Sequence, residues 1–173
     1  MIGVDGKQPG LWVPAGAPWG GSAPSALVAN RVSLCRFACP RSMTITKIAF
    51  FVITAAGVDD PCDVGIYDSA TSPNRLGSSG SVAGRLNATG QKIVPLNAPV
   101  ALVKDQVYYA AFGVGAIGGS AAALQQTTSN SAICGFFGTT PPNVEIGLAS
   151  GFPLPPAVTV TGLINVPIFA LIQ

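Results

Sequence analysis

Met43-Thr44-Ile45-Thr46-Lys47-Ile48-Ala49-Phe50-Phe51-Val52-Ile53-Thr54 is the stretch that sets the fold class. It is dense in β-branched and aromatic residues, which fit a pleated surface better than a helix. From Ile48 to Ile53 it is apolar without interruption. Such a run predicts a strand covered on both faces. Upstream, Val32 and Leu34 followed by Cys35, Phe37 and Cys39 predict a strand whose alternation changes phase once, as at a bulge. Downstream, Gly57-Val58-Asp59-Asp60-Pro61 is turn chemistry. Residues 62–67 then read as a short strand, closed by the turn-rich run Asp68 to Asn74. A Gly/Ser-rich stretch to Gly84 precedes apolar segments at 92–96, 100–103 and 107–113. The last third continues in the same style at 121–127, 132–137, 158–161 and 164–172, with a Pro-rich loop between. No sustained 3.6-residue periodicity follows residue 25. The expectation is an all-β chain, a β-sandwich or jelly roll of about 8–10 short antiparallel strands.

Residues 1–25 form a segment of their own, and residues 26–173 form the sandwich domain. The first segment contains Leu11-Trp12-Val13-Pro14 and Ala17-Pro18-Trp19-Gly20-Gly21. Its Pro and Gly spacing forbids helix and breaks any long strand. Both tryptophans of the protein, Trp12 and Trp19, lie in it. A solvated tail has little use for two such large apolar surfaces. Two readings stand: an extended arm that docks its tryptophans on a neighbour, or an arm folded back over its own core. At the other end, Ile164 to Ile172 is nearly all apolar and contains Pro167, which cannot donate to a ladder and so suggests an edge or a bulge. An edge strand covered on both faces is what a subunit interface makes. Trp12, Trp19, Pro167, Ile168 and Phe169 are therefore the candidate interface residues.

Composition narrows the function. Charged residues are 9% of the chain, against about 25% in an average soluble domain. Hydrophobic residues are 49%, which excludes intrinsic disorder. The most apolar runs, 49–56, 107–117 and 163–172, fall short of the roughly 18 residues a membrane span needs. A net charge of +2 with scattered basic residues gives no footprint for nucleic acid. The N-terminus shows no charged region followed by an apolar one, so no signal peptide is expected. A surface this poor in charge invites association with copies of itself or with a larger assembly.

Catalytic chemistry finds little to work with. The chain has no histidine, which removes the usual general base and zinc nitrogen ligand. Its cysteines are Cys35, Cys39, Cys62 and Cys134; one loose C-x3-C is not a zinc knuckle, and four buried thiols is the plainer reading. Asp59, Asp60, Asp63 and Asp68 supply oxygen ligands of the kind calcium takes, but without the EF-hand spacing, and turn-forming aspartates explain them equally. Ser42 misses the S-x-x-K spacing to Lys47, Thr44 has the spacing without the serine, and Glu145 is the only glutamate. No enzyme, no cofactor and no metal are expected. A sugar-binding rim at Gln125, Gln126, Asn130 and Phe136 is the remaining site, weighed against Tyr67, Tyr108 and Tyr109 reading as core.

Four stretches carry a further likeness: Thr44-Ile45-Thr46-Lys47-Ile48, Val64-Gly65-Ile66-Tyr67-Asp68, Ala88-Thr89-Gly90-Gln91-Lys92, and Leu102-Val103-Lys104-Asp105-Gln106-Val107-Tyr108-Tyr109-Ala110-Ala111. Together they resemble a β-sandwich domain of tailed-bacteriophage virion proteins, found in head-decoration, minor-tail and tail-fibre components. The likeness covers about residues 30–115. It implies a non-enzymatic structural component of a virion, made in the host cytoplasm. The expected form is a decoration or accessory subunit, attached to major capsid or tail proteins through its N-terminal arm and apolar interfaces. It also implies a homo-oligomer, with a trimer favoured. The alternative is a tail-associated adhesion module that binds host-surface glycan. A bacterial surface or secreted sandwich module is a weaker third class. The four cysteines and the Trp-bearing arm depart from the pattern and leave the mode of attachment open.

Overall fold

The structure, a computed structural model, describes residues 11–13, 25–127, 151–159, 166–167 and 169–173. Among these residues there is no helix, and the strands form two antiparallel sheets packed face to face as a β-sandwich. In chain order they are β1 (Leu11–Val13), β2 (Ser25–Ala26), β3 (Val32–Ala38), β4 (Met43–Thr54), β5 (Cys62–Tyr67), β6 (Arg75–Ser78), β7 (Gly90–Leu102), β8 (Val107–Val114), β9 (Ala123–Leu124), β10 (Gln126–Thr127), β11 (Val166–Pro167) and β12 (Phe169–Ile172). The smaller sheet runs β3-β8-β5-β6. The larger is organised on β4, which pairs with β7 along one edge and with β12 and then β9 along the other, β1 and β2 extending it outward.

One core lies between the sheets. From the larger sheet come Ile45, Ile48, Phe50, Val52, Val94 and Leu102; from the smaller come Cys35, Phe37, Val64, Ile66, Tyr108 and Phe112. Phe50 of β4 meets Phe112 of β8 edge to face, with ring centroids 5.1 Å apart. Edge-to-face pairs of this kind contribute about 0.5–1.5 kcal/mol beyond their buried area.

The phase change expected in β3 lies elsewhere. β3 pairs with β8 in unbroken register from Val32↔Gly113 to Ala38↔Val107. Both phases of β3 are apolar because both faces are covered: Cys35 and Phe37 face the inter-sheet core, while Val32 and Leu34 belong to a second cluster with Tyr67, Tyr109, Ala111, Leu154 and Val158. The irregularity lies between β4 and β7, whose register shifts between Ile45 and Lys47: Thr46 alone faces residues 96–99, so the bulge's extra residues are in β7 and the phase of β4 changes there. Met43 and Ile45 before it, and Ile48, Phe50 and Val52 after it, all reach the same core. The outer face of β4 is only partly covered: Ala49 is buried, Phe51 and Ile53 are half-buried, and Thr44 and Lys47 are exposed.

Four other expectations change. The segments at 92–96 and 100–103 are one strand, β7, whose exposed Pro95 and Pro99 suit a sheet edge. The Gly/Ser-rich stretch holds β6, which pairs with β5. Val158 is not in a strand; its N–H donates to the Pro73 carbonyl at 3.0 Å. The end of the closing run is not an edge: β12 lies between β1 and β4, so its burial is met within the chain, whereas Pro167 stands in β11 of a two-stranded pair, an edge position as expected. The strand expected at 132–137 lies outside the described residues.

Residues 151–159 form a strap across the outer face of the smaller sheet. Leu154 seats in a notch where β5 and β8 carry glycines: a methyl on Gly65 would stand 2.9 Å from Leu154 Cδ1, and one on Gly113 would stand 3.2 Å from Cδ2. The Gly65 methyl would also lie 2.6 Å from the Gly77 carbonyl oxygen, which is backbone and cannot yield cheaply. Polar ties complete the fastening. The Leu154 N–H donates to Asp63 Oδ2 at 2.9 Å, Tyr67 Oη donates to the Pro155 carbonyl at 2.6 Å, the Arg75 N–H donates to the Pro156 carbonyl at 2.8 Å, and Arg75 Nη1 donates to the Leu154 carbonyl.

Urea unfolding should therefore show Leu154→Ala destabilised by about 2–5 kcal/mol. Gly65→Ala should lose about 1–3 kcal/mol by overpacking the same notch. Wild-type stability in either variant would contradict this seating of the strap.

Candidate interaction surface

The interface candidates separate by position. Trp12 lies in β1, its Cα opposite Ala170 of β12, so this part of the N-terminal segment is paired with its own chain. Pro167 lies in β11, opposite Gln126 of β10 in a two-stranded ribbon. Phe169 is fully buried in the inter-sheet core, so its burial needs no partner. Trp19 and Ile168 lie outside the described residues.

Of the sugar-rim candidates, two lie among the described residues. Gln125 is half-buried and its N–H donates to the Phe51 carbonyl at 2.9 Å, while Gln126 is in β10. Asn130 and Phe136 lie outside the described residues. Tyr67, Tyr108 and Tyr109 are buried, in agreement with their reading as core. The Tyr108 hydroxyl accepts the Val103 N–H at 3.0 Å, tying the β7–β8 turn to its own strand.

Each of the four clustered carboxylates serves a different stretch of backbone. Both Asp59 oxygens accept the Gly84 N–H at 2.7 Å. Asp60 Oδ1 accepts the Gly118 N–H at 2.9 Å, and its Oδ2 is buried without a hydrogen-bond partner. Asp63 takes the strap, and Asp68 Oδ1 accepts the Asn74 and Ala70 N–H groups at 2.8 and 3.2 Å. They do not converge: among the described residues no group of three or more acidic, Cys or His side chains could hold a metal ion. Their work is loop closure. The loop after β4 is drawn onto those after β6 and β8, helped by the Gly57 N–H donating to the Ser120 carbonyl at 2.9 Å.

Cys35, Cys39 and Cys62 are buried free thiols, and Cys134 lies outside the described residues. Burial pushes the Cys35 thiol far up and raises Cys62 to about 12. Burial also raises Cys39, whose Sγ donates to the Arg41 carbonyl at 2.9 Å. A thiol that rarely ionises is a poor nucleophile.

On the exterior, the exposed large apolar residues among those described are Val28, Val58, Leu76, Ile93 and Val103. Val28, Val58, Leu76 and Val103 stand on separate turns and edges, and single surface apolar residues of that kind carry no message. Ile93 is opposite Ala49 on the outer face of the larger sheet, where Ala49, Ala170 and Ile172 form a small third cluster. The sequence matches no protein-family model, and no curated protein matches it significantly.

Iodoacetamide at pH 8 should leave Cys35 and Cys62 unmodified in the folded protein and label both in urea, as read by peptide mass spectrometry. Native labelling of either would contradict their burial.

Proposed function

We propose that the chain is a non-enzymatic structural component of a tailed-phage virion, a decoration or accessory subunit that works by buried contact area. The observation that carries the reading is where the resembling stretches fall. Residues 44–48 are in β4, 64–67 in β5, 90–92 in β7 and 107–111 in β8, so the likeness follows the inner strands β4, β5 and β8 and the edge strand β7 that pairs with β4. The 9% charged composition supports it, because so little charge suits a surface that is covered in an assembly. Partners are copies of the chain itself, a trimer by the habit of such subunits, and major capsid or tail proteins.

The pairing of Leu11–Val13 with β12 sharpens the attachment reading. Replacing Trp12 alters a sheet edge as well as any docking contact, so Trp19 is the cleaner probe. Gold-labelled antibody on whole particles should decorate the head. Label confined to the tail tip would favour host-glycan binding, and absence from particles would overturn the proposal. Trp19→Ala, alone and with Trp12→Ala, should weaken attachment to particles while the sandwich still folds. Unchanged particle binding would remove the N-terminal segment from the attachment mechanism.

A further inference from the structure

Asp63 sits at the root of the strap, wholly inaccessible to solvent on the outward side of β5. Three contacts converge on the neighbouring Ser79 hydroxyl. Its Oγ lies 3.0 Å from Asp63 Oδ1 and 3.0 Å from the Gly80 carbonyl oxygen, and it accepts the Val64 N–H at 3.1 Å. A serine hydroxyl has one hydrogen to give. With Asp63 ionised, its Oδ1 and the half-exposed Gly80 carbonyl compete for that hydrogen and only one takes it. With Asp63 neutral the count closes: Oδ1–H donates to Ser79 Oγ, the Ser79 hydrogen goes to the Gly80 carbonyl, and Oδ2 still accepts the Leu154 N–H.

We propose that Asp63 fastens the strap as a neutral carboxylic acid, so that docking of residues 151–159 is linked to a single buried proton. The groups around it are consistent with this. Residues 151–159 carry no ionisable side chain. β8 presents Gly113 opposite Asp63, with Tyr109 further along opposite Tyr67. On β5, Cys62 and Tyr67 are held neutral by burial, which pushes the Tyr67 phenol well above its ordinary range. Arg75 on β6 is the cation that opposes the proposal, and its Nη1 is spent on the Leu154 carbonyl. Desolvation of the carboxyl outweighs the hydrogen bonds from Leu154 and Ser79, the Arg75 charge and the hydrogen bond from the Gly80 backbone, and it raises Asp63 above the ordinary aspartate value of 3.8.

The sign follows by linkage. Above pH 3.8 the unfolded chain gives up the Asp63 proton while the folded chain keeps it, so stability falls as pH rises through that window. Once the folded value is passed, the fall stops, and an anion lies under an apolar strap. Asp68 carries the opposite slope. Slight desolvation pushes its carboxyl up, but the hydrogen bonds from Asn74 and Ala70 prevail and hold it below the ordinary value. Comparison with a variant at position 63 alone cancels that slope.

The test is the carbon-13 signal of the Asp63 carboxyl followed against pH in the intact protein. It should remain in the protonated position above the ordinary aspartate value of 3.8; titration at or below 3.8 would overturn the proposal. Asp63→Asn is the second arm, since the amide offers the same donor and acceptor without a titration. Its folding constant relative to wild type should grow about tenfold for each pH unit inside the window. At pH 8 the Leu154 amide should exchange more slowly in the variant. A ratio flat or falling with pH, or an Asp63→Asn chain that cannot fold, would overturn it.

Discussion

Everything in the larger sheet depends on β4 presenting one continuous apolar face while both its edges are paired. A strand of 12 residues with uninterrupted alternation would turn either Met43 and Ile45 or Ile48, Phe50 and Val52 away from the core. The register shift at Thr46, which stands alone opposite four bulged residues of β7, changes the phase of β4 and keeps both sets inward. Phe50 then meets Phe112 across the sandwich, and the two sheets are locked near their centres. β7, β12 and β9 all take their register from this strand, so a slip in β4 would misplace three neighbours together.

The smaller sheet answers a different constraint. Its strands β5 and β8 are buried on both faces, by the core on one side and the strap on the other. Two-sided burial leaves no room for side chains where the strap comes closest, hence glycine at 65 and 113 beneath Leu154. It also traps a carboxyl, Asp63, that must find partners inside the protein, because an unpaired buried charge is costly. Strap, notch and buried acid are one device.

Much of this was legible. β5 was read to the residue, and the existence of β3, β4 and β8 followed from β-branched and aromatic density. The sandwich class followed from many short strands between turns. The position of the bulge was misread because Val32 to Cys39 shows two apolar phases, which a bulge and two-sided burial both produce; nothing local tells them apart. β6 escaped notice since Arg-Leu-Gly-Ser has almost no strand propensity and forms only because β5 offers an edge. The closing run read as an interface because a sequence cannot say whether a neighbour is another copy or β1 of the same chain. Among the acids, turn chemistry was apparent at Asp59, Asp60 and Asp68. The buried role of Asp63 depends on Ser79 and Leu154, 16 and 91 residues away.

β12, from one of the chain's most apolar runs, lies inside its own sheet. Amide hydrogen exchange of Phe169 to Ile172, measured across a dilution series that dissociates any oligomer, tests that placement most directly. Slow exchange that does not change with dilution is the result the account predicts. Protection lost as the oligomer dissociates would return β12 to a subunit interface and contradict it.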